Sequence, residues 1–314
     1  MFHRERLDKI ISTIKLFPTS FLLPLMIEDS ETTLAPLASP VWDTRDRALL
    51  EGATTYIYRK TEEGELAAHV FFPEGHATRT KAAPLLVCLH GGMWDRSAPT
   101  QFVPHCHHFA SRGMVAVSLE YRVFEKNRTG PVDAVEDARE AMRVMRESAG
   151  DLGIDPAQVV VMGAASGAYL ALWTGLVRKA EKVEGQSFRP DAMVLINPIS
   201  DTGKKGMASD RFRDMGEAVA MSPLAALPQK GLPPCLILHG LADRVVPPVQ
   251  SERLQKMYKR KRNVCERMEF GGQDHSFFNF HVNQDSYELV VGAVDQFLTQ
   301  QGFLEARVDG GVEF

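Results

Sequence analysis

Opening an acyl bond at neutral pH needs a nucleophile, a base to take its proton, and donors for the oxyanion that forms. Three segments of the chain hold residues of these types. His90-Gly91-Gly92-Met93-Trp94 follows the apolar run Leu85–Leu89, and its glycines let backbone N–H groups approach an oxyanion with no Cβ in the way. Gly163-Ala164-Ala165-Ser166-Gly167-Ala168 follows Val159–Met162, and small residues two before and two after Ala165 permit a sharp strand-to-helix turn that presents its central residue. Asp243, in HGLADRVVP, and His275, in GGQDHSFFN, follow the runs Cys235–Leu238 and Cys265–Phe270. A lone His or Asp is more often structural, but elbow, then acid, then histidine is one chain order of a hydrolytic triad.

These segments work together only if the fold brings their strand ends to one edge, and the surrounding pattern predicts that it does. From residue 53 strands and helices alternate, which implies an α/β domain with a mostly parallel sheet and helices on both faces. ATTYIYRK and LAAHVFF, around Glu62-Glu63-Gly64-Glu65, read as an antiparallel hairpin that opens the sheet. Leu85–Leu89, Met114–Leu119, Val159–Met162, Ala192–Ile196, Cys235–Leu238 and Cys265–Phe270 read as the following strands. Helices are expected near 101–112, 132–147, 166–180, 248–260 and 284–301, with Asp155-Pro156 breaking the chain before the elbow strand. Open parallel sheets bind ligands beyond the carboxyl ends of their strands, where all three segments fall. Residues 198–232 lack a strong period and carry Pro198, Pro223 and Pro228, the pattern of a lid or binding loop. The expected domain runs 53–304, with 1–52 a helical extension packed on it and 305–314 a tail.

Composition narrows the function classes. The 314 residues are 44% hydrophobic and 24% charged, an ordinary globular balance long enough for one large domain. Lys and Arg number 36 against 40 Asp and Glu, a net charge of −4. No basic face for phosphate contact is visible beyond Lys259-Arg260-Lys261-Arg262, which reads as a solvated helix end, so no nucleic-acid partner is expected. Cys88 and Cys235 sit in apolar runs as small hydrophobes, while Cys106 and Cys265 stand alone in the sequence; neither a disulfide framework nor a cysteine metal site is expected. His105-Cys106-His107-His108 lacks the carboxylate or distant ligands that a metal site needs and reads as helix surface. No run of about 18 apolar residues occurs, so no membrane span is expected. Arg4, Arg6 and Lys9 ahead of FLLPLMI suggest a signal peptide, but Glu5 and Asp8 interrupt the basic part and Lys15, Pro18 and Pro24 the apolar part. Ile10, Ile11, Ile14 and Phe17 share a helical face. The expectation is therefore an amphipathic helix and a cytoplasmic protein, with export as the alternative.

With their neighbours, the three segments resemble the α/β-hydrolase superfamily, in particular its hormone-sensitive-lipase-like and feruloyl- or acetyl-esterase-like branch. HGGMW is similar to that branch's HGGGW-type oxyanion loop, and SLEYRV (118–123), LGIDPAQVVVMG (152–163), LILHGLADRVVP (236–247) and GGQDHSFFN (271–279) have counterparts there. The likeness runs from about residue 53 to residue 301. It implies an α/β-hydrolase fold with a small lid, and hydrolysis of a carboxylic ester through an acyl-enzyme with no cofactor and no metal. In that scheme a serine at 165 attacks, His275 passes its proton to the leaving alcohol and Asp243 holds the imidazole. The backbone N–H groups of Gly92, Met93 and Ser166 take the oxyanion. His90, Gly91, Trp94 and Phe277 are the expected substrate neighbours, the two aromatics serving either as stacking surfaces for a sugar or aryl ring or as core and lid packing. The implied partner is a small-molecule ester of a short or aromatic acyl group, such as an acylated sugar; an arylformamidase-type amide hydrolase is the enzyme alternative.

The chain departs from this pattern at one decisive place. The branch's elbow reads G-x-S-x-G, and here Ala165 stands at its centre, with the register fixed by IDPAQVVVMG before it and GAYLAL after it. Alanine cannot attack a carbonyl. One reading is a Ser→Ala form of a serine esterase, which accounts for Asp243, His275 and the HGG loop all being kept. A second is a non-catalytic binding protein of the same fold. A third makes Ser166 the nucleophile, flanked by Ala164 and Ala168, although a one-residue shift swings its hydroxyl away from His275.

Overall fold

The computed structural model describes residues 48–176, 187–227 and 230–306. The expected extension over 1–52 lies outside them up to residue 47, as does the tail after residue 306.

Among the described residues eight strands form one sheet: β1 (Thr54–Thr61), β2 (Gly64–Phe71), β3 (Ala83–Leu89), β4 (Val115–Leu119), β5 (Ile154–Ala164), β6 (Ala192–Ile196), β7 (Cys235–Gly240) and β8 (Cys265–Phe270). Their spatial order is β1-β2-β4-β3-β5-β6-β7-β8. The β1–β2 hairpin and the β2–β4 pair are antiparallel, and every later pair is parallel. Strands covered on both faces must be apolar at almost every position, which is why β3, β4, β6 and β7 read as nearly continuous hydrophobic runs, with Ser118 in β4 and His239 in β7 as buried polar positions. Alternate residues feed two cores. Leu85, Val87, Val117, Val161 and Leu195 face the helices α2 (Pro131–Glu147) and α3 (Ser166–Gly175). Leu86, Cys88, Ala116, Met162 and Val194 face α1 (Val103–Ser111) and α6 (Gln284–Gln300). Helices α4 (Met215–Ala220) and α5 (Val249–Arg260) complete the longer elements.

Two expectations are corrected. Asp155-Pro156 does not break the chain before the elbow strand, because β5 already begins at Ile154. Its pairing with β3 jumps from Ala83–Ile154 to Leu85–Val159, so Pro156 sits in an irregularity where no ladder donor is needed. The His105–His108 cluster is not plain helix surface either. His105 and Cys106 are fully buried, the imidazole among the rings of Phe102, Phe278 and Tyr287, and Cys106 Sγ lies 3.9 Å from Cys88 Sγ. Cys265, alone in sequence, pairs in register with Cys235 across β7 and β8. Polar residue types on the inward face of α1 hid that face from a hydrophobic-pattern reading.

The 198–232 insertion contains α4 and a single turn over Pro223–Ala226. It docks on α3, where the Tyr169 hydroxyl and the Trp173 indole both donate to the Met221 carbonyl at 2.9 and 3.2 Å. Phe212 packs on Trp94 and Tyr169, and Arg211 pairs with Asp95 at 2.6 Å. Among the described residues no helix is long and apolar enough to cross a membrane.

Candidate active site

β5 ends at Ala164 and α3 starts at Ser166, which leaves one residue to make the turn. Ala165 takes φ 50° and ψ −110°, a conformation that costs a residue with a Cβ of order 1–3 kcal/mol and persists only where the surroundings enforce it. Here they do. Its N–H donates to the Ile196 carbonyl at 2.9 Å, and its own carbonyl accepts from Tyr169 at 3.1 Å and from Ile199 at 3.4 Å. The flanking glycines permit the approach: a Cβ on Gly163 would strike the Gly167 backbone, and one on Gly167 would strike the carbonyls of Leu89 and His90. All of these contacts are backbone contacts, so the side chain at 165 plays no part in holding the turn.

Across from the elbow, His275 Nδ1–H donates to Asp243 Oδ2 at 2.6 Å. The other carboxylate oxygen accepts from the N–H groups of Val245 and Val246 at 2.8 and 2.9 Å. Burial alone would push the Asp243 carboxyl up, but the hydrogen bond and charge of His275 and these two N–H groups outweigh it and hold the group below the usual carboxylate range. His239 is buried behind the pair, 3.6 Å from Asp243 Oδ2. Its Nε2–H donates to the Val246 carbonyl at 2.9 Å, which leaves Nδ1 to accept from the Ser251 hydroxyl at 2.5 Å. Burial lowers its pKa despite the Val246 carbonyl and Asp243, so at neutral pH it is uncharged and does not compete with His275 for the carboxylate.

Ala165 and His275 line a common pocket of about 190 Å³ with Gly91, Gly92 and Met93. The N–H of Gly91 is taken by the Gln101 side-chain oxygen at 2.7 Å. Those of Gly92, Met93 and Ser166 take no acceptor among the described residues, which leaves them free for a developing oxyanion. Gly92 at φ 123°, Met93 at 56° and Trp94 at 59° form a run of left-handed backbone, strain of the kind that accumulates at ligand clamps.

Other expected residues lie elsewhere. His90 is buried, stacked on Tyr121 with ring centroids 4.2 Å apart, and its Nδ1–H donates to the Gly91 carbonyl at 2.6 Å; it shapes the loop instead of lining the pocket. Trp94 packs against Tyr169 and Phe212, and Phe277 against Phe270 and Phe278, so both are core residues. The Ser166 hydroxyl is fully buried and does not line the pocket, so the geometry lends nothing to its reading as nucleophile. No described residue of 198–232 lines this pocket; the segment flanks it through Trp94. The lining also contains Gln101, Val245, Ser276, Phe278 and Asn279. Four of these sit within four residues of Asp243 or His275 and were open to a reading of the whole loop. Gln101 carried no local signal, since its relation to Gly91 exists only in three dimensions.

The BD-FAE family model matches residues 70–202. Among solved structures, the esterase Est2 of the Planctomycetes species Thermogutta terrifontis is similar over 83% of this chain and 96% of its own, at 31% identity and a TM-score of 0.75. That esterase has also been solved with butyrate bound. Esterase LipC of Mycobacterium tuberculosis is 27% identical over 220 residues, 63% of this chain and 54% of LipC. The non-reducing polyketide synthase atr1 of Stereocaulon alpinum is 32% identical over 127 residues, 38% of this chain and 5% of the synthase. The chain thus spans about half the length of LipC and a small part of the synthase.

Proposed function

The chain belongs to the α/β-hydrolase superfamily, in its hormone-sensitive-lipase-like branch, and from that premise we propose that its pocket is a carboxylic ester site whose nucleophile position is Ala165. The observation that carries this is the elbow itself. A strained φ of 50° at an alanine, facing a paired His275 and free backbone donors, has a use only if the Cβ at 165 must point at a substrate carbonyl. With serine at 165, Oγ attacks the carbonyl carbon as His275 Nε2 takes its proton. The oxyanion rests on the N–H groups of Gly92, Met93 and Ser166, and His275 returns the proton to the departing alkoxide. Water then repeats the sequence on the acyl-enzyme. With alanine the first bond cannot form, and the pocket holds an intact ester.

The small volume favours a short acyl group. Est2, of the same fold, has been solved with butyrate bound. Core packing of Trp94 and Phe277 removes the stacking surface that spoke for a sugar or aryl group.

The test is the initial rate on nitrophenyl esters of two to eight acyl carbons. Ala165→Ser is expected to raise turnover by about 10⁶, with the shortest chains cleaved fastest, and Ser166→Ala in the present chain to change almost nothing. A silent Ala165→Ser protein that still binds short esters makes this a binding protein and ends the esterase reading. An active present chain that Ser166→Ala silences moves the elbow by one residue.

A further inference from the structure

Asn197 stands directly after β6, fully buried, with φ 44°. Left-handed backbone favours glycine and, next to it, asparagine. The side chain spans two loops that are distant in sequence: Oδ1 accepts the Gly240 N–H at 3.1 Å, and Nδ2 donates to the His275 carbonyl at 2.9 Å. Its own N–H donates to the Leu238 carbonyl at 2.9 Å. Gly240 opens the acid loop, where its carbonyl accepts the Asp243 N–H at 3.1 Å, and Ala242 in turn bonds the Gln273 carbonyl at 2.9 Å. On either side, Ile196 and Ile199 bond the two ends of the Ala165 peptide. The short segment 196–199 is therefore hydrogen-bonded to the elbow, the acid loop and the histidine loop together.

Packing alone does not call for this residue. An apolar side chain would fill the space but could close neither bond, and its left-handed backbone would be strained. A neutral amide is the side chain with a donor and an acceptor at fixed separation, and here one end takes an N–H while the other gives to a carbonyl.

We propose that Asn197 is a positioning residue that sets His275 and the Asp243 loop in register with residue 165. This rests on reading Asp243 and His275 as the acid–base pair of the ester site.

Asn197→Gly keeps the backbone conformation and deletes both bonds; Asn197→Asp keeps the size and the Gly240 bond but faces the His275 carbonyl with an acceptor. Thr202→Val is the control, since Thr202 is equally buried nearby and its hydroxyl, among the described residues, bonds only the Ala218 carbonyl. The first readout is the ring tautomer of His275 by ¹⁵N NMR in the present chain. The Nδ1–H form should dominate in the unmodified protein and in Thr202→Val, and give way several-fold to the Nε2–H form in Asn197→Gly while cooperative melting persists. The second is kinetic, with Ala165→Ser in every chain: Asn197→Gly and Asn197→Asp should each lower kcat by about 10²-fold with KM little changed, the scale of a misplaced catalytic group. An unchanged tautomer, with kcat no lower than in Thr202→Val, makes Asn197 merely structural. Should the Ala165→Ser chain be inactive, the tautomer shift alone decides, so the positioning role and the esterase reading fail separately.

Discussion

The elbow and the acid–base pair face each other across one pocket but are held by different means. At Ala165 backbone carbonyls and N–H groups of β6 and α3, with the two flanking glycines, enforce an unfavourable conformation that no side chain supports. At Asp243 and His275 the geometry is a chain of side-chain bonds, from the Val245 and Val246 amides through the carboxylate to the imidazole, with Asn197 behind. A backbone-held site keeps its shape when its reactive atom is gone. A side-chain-held site loses shape and chemistry together, so that changing the side chain at 165 should cost only rate, whereas changing Asp243 or His275 should cost both.

The largest effects test that difference through activity. In an Ala165→Ser chain, adding His275→Ala should return the rate to that of the present chain, a loss of about 10⁶, because nucleophile and base act as one unit and their losses do not add. Asp243→Asn should cost about 10⁴ by presenting the imidazole in the wrong tautomer. Steady-state rates on one short nitrophenyl ester measure both, and independent, additive losses would show that elbow and pair do not work together.

Next comes the backbone. Ala165→Ser should alter stability by less than about 1 kcal/mol, since the side chain at 165 holds nothing. Gly167→Ala should destabilise by roughly 3 kcal/mol or more, because the new Cβ meets the rigid carbonyls of Leu89 and His90 and no flexible side chain can yield. Urea unfolding of the three proteins gives both numbers. A Gly167→Ala chain as stable as the parent would mean that the elbow is looser than its contacts imply.

What the sequence made legible follows the same division. Strands buried on both faces announce themselves as apolar runs, and the loops after them could be placed because parallel sheets order their carboxyl ends; the Gly163–Gly167 spacing gave the elbow for the same local reason. Groups whose meaning lies in distant partners stayed hidden. Asn197 reads as an ordinary residue of NPIS, and Gln101 as part of a helix start. Trp94 and Phe277 were ambiguous because flanking a site in sequence does not set the direction of a ring: Trp94 turns to Phe212 of the insertion, and Phe277 alternates with Phe278, which does line the pocket. His105 misled because burial of an imidazole inside an aromatic cluster has no local signature.

The last effect sets His90 against the Asp243 carboxylate by pH. On the elbow side, burial pushes His90 down to about 4, its bond to the Gly91 carbonyl offsetting only part of that. The unfolded chain binds a proton at this histidine from about pH 6.5 downward, whereas the folded chain resists until about 4. Folding is therefore penalised progressively as pH falls through that window, by about 2 kcal/mol between 6.5 and 5 from this group. His105, pushed down to about 3 by burial and by His108, and His239, lowered by burial, add in the same direction. Asp243 behaves differently. Its folded carboxyl lies below its ordinary value, so the stability it contributes is present above the ordinary carboxylate pKa and lost only as pH falls through the folded one. The His90 contribution should thus fall away between pH 6.5 and 4, and that of the Asp243 carboxylate only at lower pH. Unfolding free energies of the present chain and His90→Phe, which keeps a ring against Tyr121, measured from pH 7.5 to 3.5, check this. The substitution should flatten the curve between 6.5 and 4, by about 2 kcal/mol between 6.5 and 5 and about 1 kcal/mol more between 5 and 4, and leave only the part below 4 parallel to the parent. Parallel curves throughout would mean that His90 titrates as freely in the fold as outside it, and that the oxyanion loop does not depend on its neutral form.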